Sequence, residues 1–275
     1  MNVERIAAFS IDGAGGNPAG VMITDAHPPA AEMQRIAAEI GYPETAFLEP
    51  KGGGWRVRYF APKMEVPFCG HATIALGAAL GAREGAGAYA LTLNDAEISV
   101  EAFEADDGWS AALTSPPTYE LNPAPELVSG VREIFGVTDK DLAKDAPISR
   151  ISAGADMIMV PLASRDRLAR LSYDMDAGAE LLNAHDIVGA YFVWAESDDR
   201  YHVRMAFPTG GIFEDPATGA AAAALSGWLR DSGRKTGEIT IIQAEDSGAA
   251  SRLIALSTPE KGAPVKVSGA TRRLD

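Results

Sequence analysis

Three short polar clusters could carry chemistry: Glu44 in YPETAFL, Cys69-Gly70-His71, and Glu214-Asp215 followed by Thr218-Gly219. A carboxylate such as Glu44 or Asp215 can take a proton from one position and return it to another. A thiol such as Cys69 can act as nucleophile or base, its thiolate favoured by a helix N-terminus and by a histidine two residues on. Taken singly, each has an ordinary reading. Glu44 follows a helix end and fits an exposed turn carboxylate; His71 fits a capping or core histidine; Asp215 fits a loop or N-cap residue; Cys69 fits a small buried hydrophobe.

The elements that must position these residues are legible from periodicity. Apolar and polar residues alternate near 2–9, 19–24, 55–60, 97–103 and 109–113, and again near 147–152, 156–160, 190–195, 201–206, 238–243 and 252–257, which predicts short strands. Met33, Ile36, Ala37 and Ile40 recur at helical spacing after Pro28-Pro29, with Gly41 at the place of a left-handed cap. Leu127, Val131 and Ile134 mark a helix ended by Gly136, and Ser164 caps another that should run through Leu171. The stretch TSPPTYELNPAP, with four prolines from Thr114 to Pro125, is the candidate domain boundary. Cutting near residue 117 gives an N-terminal domain of 1–117 and a C-terminal domain of 118–275, with the last strand free to return to the first.

An internal echo suggests that the two halves are alike. WRVRYFAP, ending at Pro62, and YHVRMAFP, ending at Pro208, share Val-Arg and a proline four residues after the arginine. Each is followed by a loop and then an apolar helix, GHATIALGAAL from Gly70 and GAAAAALSGWL from Gly219. Both helices are apolar nearly all round, the mark of burial on every side. The fold class expected is therefore α/β, in the α+β sense: two pseudo-repeated domains, each wrapping strands around one central helix. The loops before the two helices would then face a cleft flanked by two positive helix ends, where a carboxylate is welcome.

Composition restricts the partners. With 275 residues the chain has room for two cores, and a formal net charge of −14 opposes binding to phosphate backbones and anionic lipid. Nucleic acid and membrane are not expected partners. MNVERIAAFSIDG has neither the basic nor the apolar region of a signal peptide, and no apolar run reaches the roughly 18 residues of a spanning helix. One cysteine permits neither an internal disulfide nor a multi-cysteine metal site, so a reducing cytoplasm is expected. No nucleotide-loop, dinucleotide-fold, serine-hydrolase or His-Glu-x-x-His pattern occurs. No cofactor and no metal are expected.

In order along the chain, GNPAGV at 16–21, ETAFL at 44–48, FCGHATIA at 68–75 and FEDPATGAA at 213–221 resemble the PhzF-like isomerases of phenazine biosynthesis, a group with the diaminopimelate-epimerase fold. The resemblance implies two similar domains, each a cone of strands around a central helix, a homodimer, and a cofactor-independent isomerase acting on a small carboxylate-bearing molecule. It makes Glu44 the proton carrier and gives His71 and Asp215 catalytic and holding roles. Cys69, Gly70, Thr218, Gly219 and Ala220 would line the substrate, the glycines admitting its carboxylate to the helix ends. Two departures bear on the substrate: Ala220 stands where the family usually has serine, and IIQAEDSGAASRL lacks the usual Gln-Gly followed by Arg-Pro-Ser. Related epimerases use one thiol from each domain. Cys69 aligns with the first, but Pro216 stands at the second, so a two-thiol racemase is excluded by count. The alternatives are an enzyme dependent on Cys69 and a non-catalytic ligand-binding or scaffolding protein of the same fold.

Overall fold

A computed structural model describes residues 2–106 and 108–275. In chain order the elements are β1 (Glu4–Ala8), β2 (Asn17–Ile23), α1 (Ala30–Ile40), β3 (Glu44–Lys51), β4 (Gly54–Phe60), β5 (Glu65–Val66), α2 (Gly70–Glu84), β6 (Gly87–Thr92), β7 (Glu97–Ala105), β8 (Gly108–Thr114) and β9 (Tyr119–Leu121). There follow α3 (Pro125–Ile134), β10 (Ser149–Ser152), β11 (Asp156–Pro161), α4 (Arg165–Ala169), α5 (Met175–Ala184), β12 (Gly189–Ala195), β13 (Arg200–Phe207) and β14 (Ile212–Asp215). The chain ends with α6 (Gly219–Asp231), β15 (Gly237–Gln243), β16 (Ser251–Ser257) and β17 (Val265–Arg273). Two compact units result: one runs to Thr114 and takes back Ser268–Asp275, and the other is Ser115–Val267.

In the first unit β1 pairs antiparallel with β2, β2 parallel with β3, β3 antiparallel with β4, and β4 parallel with β6. The hairpins β6–β7 and β7–β8 continue the sheet, and the end of β17 pairs with both β8 and β1. Following these pairings returns to β1, so eight strands close a barrel without an open edge. Helix α2 fills it, packing against β1, β2, β3, β6, β7 and β8, with every residue from His71 to Gly81 buried. Small residues make that possible. At Gly77 a Cβ would lie 2.6 Å from Val100 Cγ2 and 2.9 Å from Ala111 Cβ. Outside the barrel, α1 lays Met33, Ile36 and Ala37 on Met22, Phe47 and Phe60. It ends as its sequence indicates, with Gly41 at φ 71° donating to the Ala37 carbonyl.

The second unit repeats the order of pairings. β10–β11, β12–β13, β13–β14 and β15–β16 are antiparallel, whereas β11–β12 and β13–β15 are parallel. These match β1–β2, β3–β4, β4–β5, β6–β7, β2–β3 and β4–β6 one for one. The short β9 pairs with β10 as β17 pairs with β1. Helix α6, buried from Ala221 to Arg230, packs on β9, β10 and β16. Helices α3, α4 and α5 cover the outer face of β11 and β12 through Leu127, Val131, Leu168, Leu182 and Phe192. The fold is the expected pair of repeated strand-and-central-helix domains.

The echoed arginines explain why Val-Arg recurs. In β4, Arg58 donates to both carboxylate oxygens of Glu65 in β5, at 2.8 and 2.6 Å. In β13, Arg204 binds Glu214 of β14 in the same way, its Nη2 2.6 Å from Oε2. Each forked pair ties down the short strand that leads into a central helix. Arg204 also donates to the carbonyl of Ala169, at 3.1 Å, and lies near those of Leu168 and Leu171. This corrects the expected extent of α4, which stops at Ala169 instead of reaching Leu171: a buried guanidinium occupies its terminal carbonyls.

Candidate active site

Glu44 opens β3, in register with Ala19 of β2, and Cys69 is the N-cap of α2. That meeting of strand start and helix start places three reactive side chains together. Cys69 Sγ lies 3.4 Å from Glu44 Oε2 and 3.4 Å from His71 Nδ1. His71 Nε2 lies 3.4 Å from Glu44 Oε2. Both contacts to the carboxylate fall on Oε2, and no group among the described residues holds Oε1. Glu44 is thus no exposed turn residue: its side chain is 20% exposed, enough for a small molecule to reach.

Burial sets the protonation states. It raises the Glu44 carboxyl above the ordinary glutamate value, opposed by the hydrogen bond from the Cys69 thiol. It pushes His71 down to about 4, opposed by a hydrogen bond to the Pro18 carbonyl, so the ring is neutral near pH 7. The Glu44–His71 contact is therefore not an ion pair at that pH. The result is a half-buried carboxylate beside a thiol and a neutral imidazole, a setting suited to taking up and returning a proton.

Three residues that the sequence does not single out support this cluster. Asn17, fully buried at the start of β2, has Nδ2 3.3 Å from His71 Nδ1. Thr73 donates to the Cys69 carbonyl at 2.7 Å, and the Tyr59 hydroxyl completes the chain at 2.7 Å from Thr73 Oγ1. An amide at the head of a strand otherwise made of apolar residues and glycine was the available signal for Asn17.

The second cluster lies in the other unit. Asp215 ends β14, and Thr218 is the N-cap of α6. The Thr218 hydroxyl donates to Asp215 Oδ2. Gln243, fully buried at the end of β15, donates to the Asp215 carbonyl at 2.7 Å and to Thr218 Oγ1 at 3.0 Å, and accepts from the Thr218 amide at 3.2 Å. In the sequence Gln243 figures only as part of the departing segment IIQAEDSGAASRL. Gly219 and Ala220 form the first turn of α6, as Gly70 and His71 form that of α2. Neither helix has a side-chain cap, so the backbone donors of both first turns lack that partner. A Cβ on Gly70 would meet only Phe68 Cε1, at 3.9 Å, which leaves open space over the start of α2.

Known proteins resemble this chain in sequence and in fold. A trans-2,3-dihydro-3-hydroxyanthranilate isomerase of Pseudomonas fluorescens is 33% identical over 278 aligned positions, covering 98% of this chain and 95% of that protein. An uncharacterized isomerase of Deinococcus radiodurans is 32% identical over 235 positions, covering 84% and 76%. The crystal structure of the Bacillus anthracis phenazine biosynthesis protein of the PhzF family matches 100% of this chain and 98% of that one, with a TM-score of 0.89 at 20% identity, a likeness of fold. No helix among the described residues is long and apolar enough to cross a membrane. The family model described as phenazine biosynthesis-like protein, PhzC-PhzF, matches residues 6–272, and the chain belongs to that family.

Proposed function

We propose that this protein is a cofactor-independent isomerase in which Glu44 carries a proton between two positions of a small, carboxylate-bearing substrate. The observation that supports this most is the raised, half-buried Glu44 carboxyl, oriented through Oε2 by Cys69 with Oε1 left for the substrate. In the first step Oε1 takes the proton from the substrate carbon; in the second the neutral carboxyl returns it at the other position. His71 lies against the same carboxylate oxygen and adds no charge there near pH 7. The substrate's carboxylate is assigned to the first-turn amides of α2, at Gly70 and His71.

The relative from Pseudomonas fluorescens makes trans-2,3-dihydro-3-hydroxyanthranilate the first compound to try. The test incubates it, beside a panel of small amino and hydroxy acids, with the protein in heavy water and follows deuterium uptake by NMR. Exchange at carbon that Glu44→Gln abolishes supports the reading. Exchange that Cys69→Ala abolishes and Glu44→Gln spares would favour the second reading, a thiol-dependent enzyme, which the 3.4 Å Cys69–Glu44 contact keeps in play. A homodimer is the proposed assembly, and light scattering in dilute solution tests it.

A further inference from the structure

We infer that Asn17 is a positioning residue of this site: its side-chain amide fixes His71 as the ring tautomer with the proton on Nε2, which turns a donor and not an acceptor toward Glu44. Asn17 is fully buried, His71 is 7% exposed, and Asn17 Nδ2 lies 3.3 Å from His71 Nδ1. An amide nitrogen only donates, so Nδ1 is the accepting nitrogen and the single proton of the neutral ring sits on Nε2. The opposite tautomer would set N–H against N–H in a buried site, where an unmade hydrogen bond costs most. The other groups facing the ring agree. The Cys69 thiol, with Sγ 3.4 Å from Nδ1, donates its proton to Glu44 Oε2. The Pro18 carbonyl takes a hydrogen bond from the ring, and a carbonyl can only accept. Glu44 Oε2, 3.4 Å from Nε2, is an acceptor when ionised.

The sequence builds this arrangement in three consecutive residues. Gly16 has φ 84°, and a Cβ there would lie 2.7 Å from the Ala8 carbonyl oxygen, so only glycine admits the close turn that delivers the chain to β2. Asn17 then pairs with Ala8, and Pro18 with Ala7. Gly-Asn-Pro thus supplies the turn, the donor for Nδ1 and the acceptor for the ring N–H. The consequence for the reaction rests on the isomerase reading. A free imidazole is a stronger base than a carboxylate, so a proton taken up by Glu44 would pass to His71 if Nε2 were the accepting nitrogen. With Nε2 already protonated, that transfer is closed, and the proton stays on Glu44 for return to the substrate. Burial, which holds His71 well below its ordinary value, acts in the same direction.

The tautomer is read without substrate, so its failure and the failure of the isomerase reading are separate results. The four histidine rings are labelled with heavy nitrogen and observed by NMR near neutral pH through their carbon-bound protons, with His71→Gln identifying the signals of His71. In the unaltered protein Nε2 of His71 should resonate in the protonated range and Nδ1 in the unprotonated range. The Asn17 side-chain amide protons should also show an Overhauser contact with the His71 Cε1 proton. Asn17→Asp keeps the shape but sets an acceptor against Nδ1, so Nδ1 should shift into the protonated range. Thr73→Val removes a hydroxyl bonded to the Cys69 carbonyl and not to the ring, and should leave both nitrogens in place. A protonated Nδ1 or a missing amide contact in the unaltered protein would overturn the inference, as would the same ring pattern in Asn17→Asp and Thr73→Val. The shifts and the contact in the unaltered protein decide the matter even if a variant fails to fold.

Discussion

His71 should make the protein lose stability in mild acid. Burial holds its folded value at about 4, whereas the unfolded chain titrates near the ordinary 6.5. A depressed folded value means that the stability it carries is fully present above about pH 6.5 and is lost as the pH falls toward about 4. Between these values the unfolded chain takes up a proton that the folded one refuses. The linkage gives a loss of about 2 kcal/mol between pH 7 and pH 5, and about 3 kcal/mol once both states are protonated. Glu44 acts in the opposite sense, since its raised value favours the folded state in acid, but that contribution is shared by a His71→Gln variant and largely cancels in the comparison. Urea unfolding of the two proteins at about pH 7, 6 and 5 measures the difference. The unaltered protein should lose about 2 kcal/mol more than His71→Gln across that range. Parallel loss in both proteins would refute the reasoning and mean that the imidazole is protonated in the folded state.

Three further outcomes follow from the packing. Arg204→Met should cost about 3 kcal/mol or more by stranding Glu214, which is 5% exposed, whereas Arg58→Met should cost about 1 kcal/mol or less because Glu65 is 26% exposed; urea unfolding separates them. Gly77→Ala, which presses a methyl group on Val100 and Ala111, should lower stability by about 1–2 kcal/mol despite alanine's better helix propensity, as thermal unfolding will show. Thr218→Val should cost about 1–3 kcal/mol, since it strips Asp215 of a donor and the buried Gln243 amide of an acceptor.

Alternation of apolar and polar residues makes strands such as β4, β7, β13 and β15 readable, although β13 proves buried on both faces, and the all-round apolar character of α2 and α6 marks the central helices. What escaped had physical causes. Helix α5 contains Gly178, which reads as a breaker, yet a Cβ there would lie 3.1 Å from Tyr173 and 3.2 Å from Pro208, so the glycine serves close packing. Strand β14 lies in a run of Gly, Asp and Pro that reads as loop and is held in the sheet by Arg204. The alternating burial of β17 is plain in the structure, but its partners β1 and β8 lie far away in sequence. In the site, Glu44 and Cys69-His71 came from motif resemblance, and the sequence did not show that they touch. Asn17 and Gln243 are structural supports whose burial only the folded chain displays.

The central claim is that Glu44 carries the proton. The most direct measurement compares Glu44→Gln with the unaltered protein in heavy water, using a substrate found by deuterium uptake and recording exchange rate and binding affinity in the same assay. An amide of similar shape cannot take and return a proton, so the rate should fall about 100- to 10,000-fold while affinity stays within a few-fold. Exchange within a few-fold of the unaltered rate would contradict the account and move the chemistry to Cys69 or Asp215.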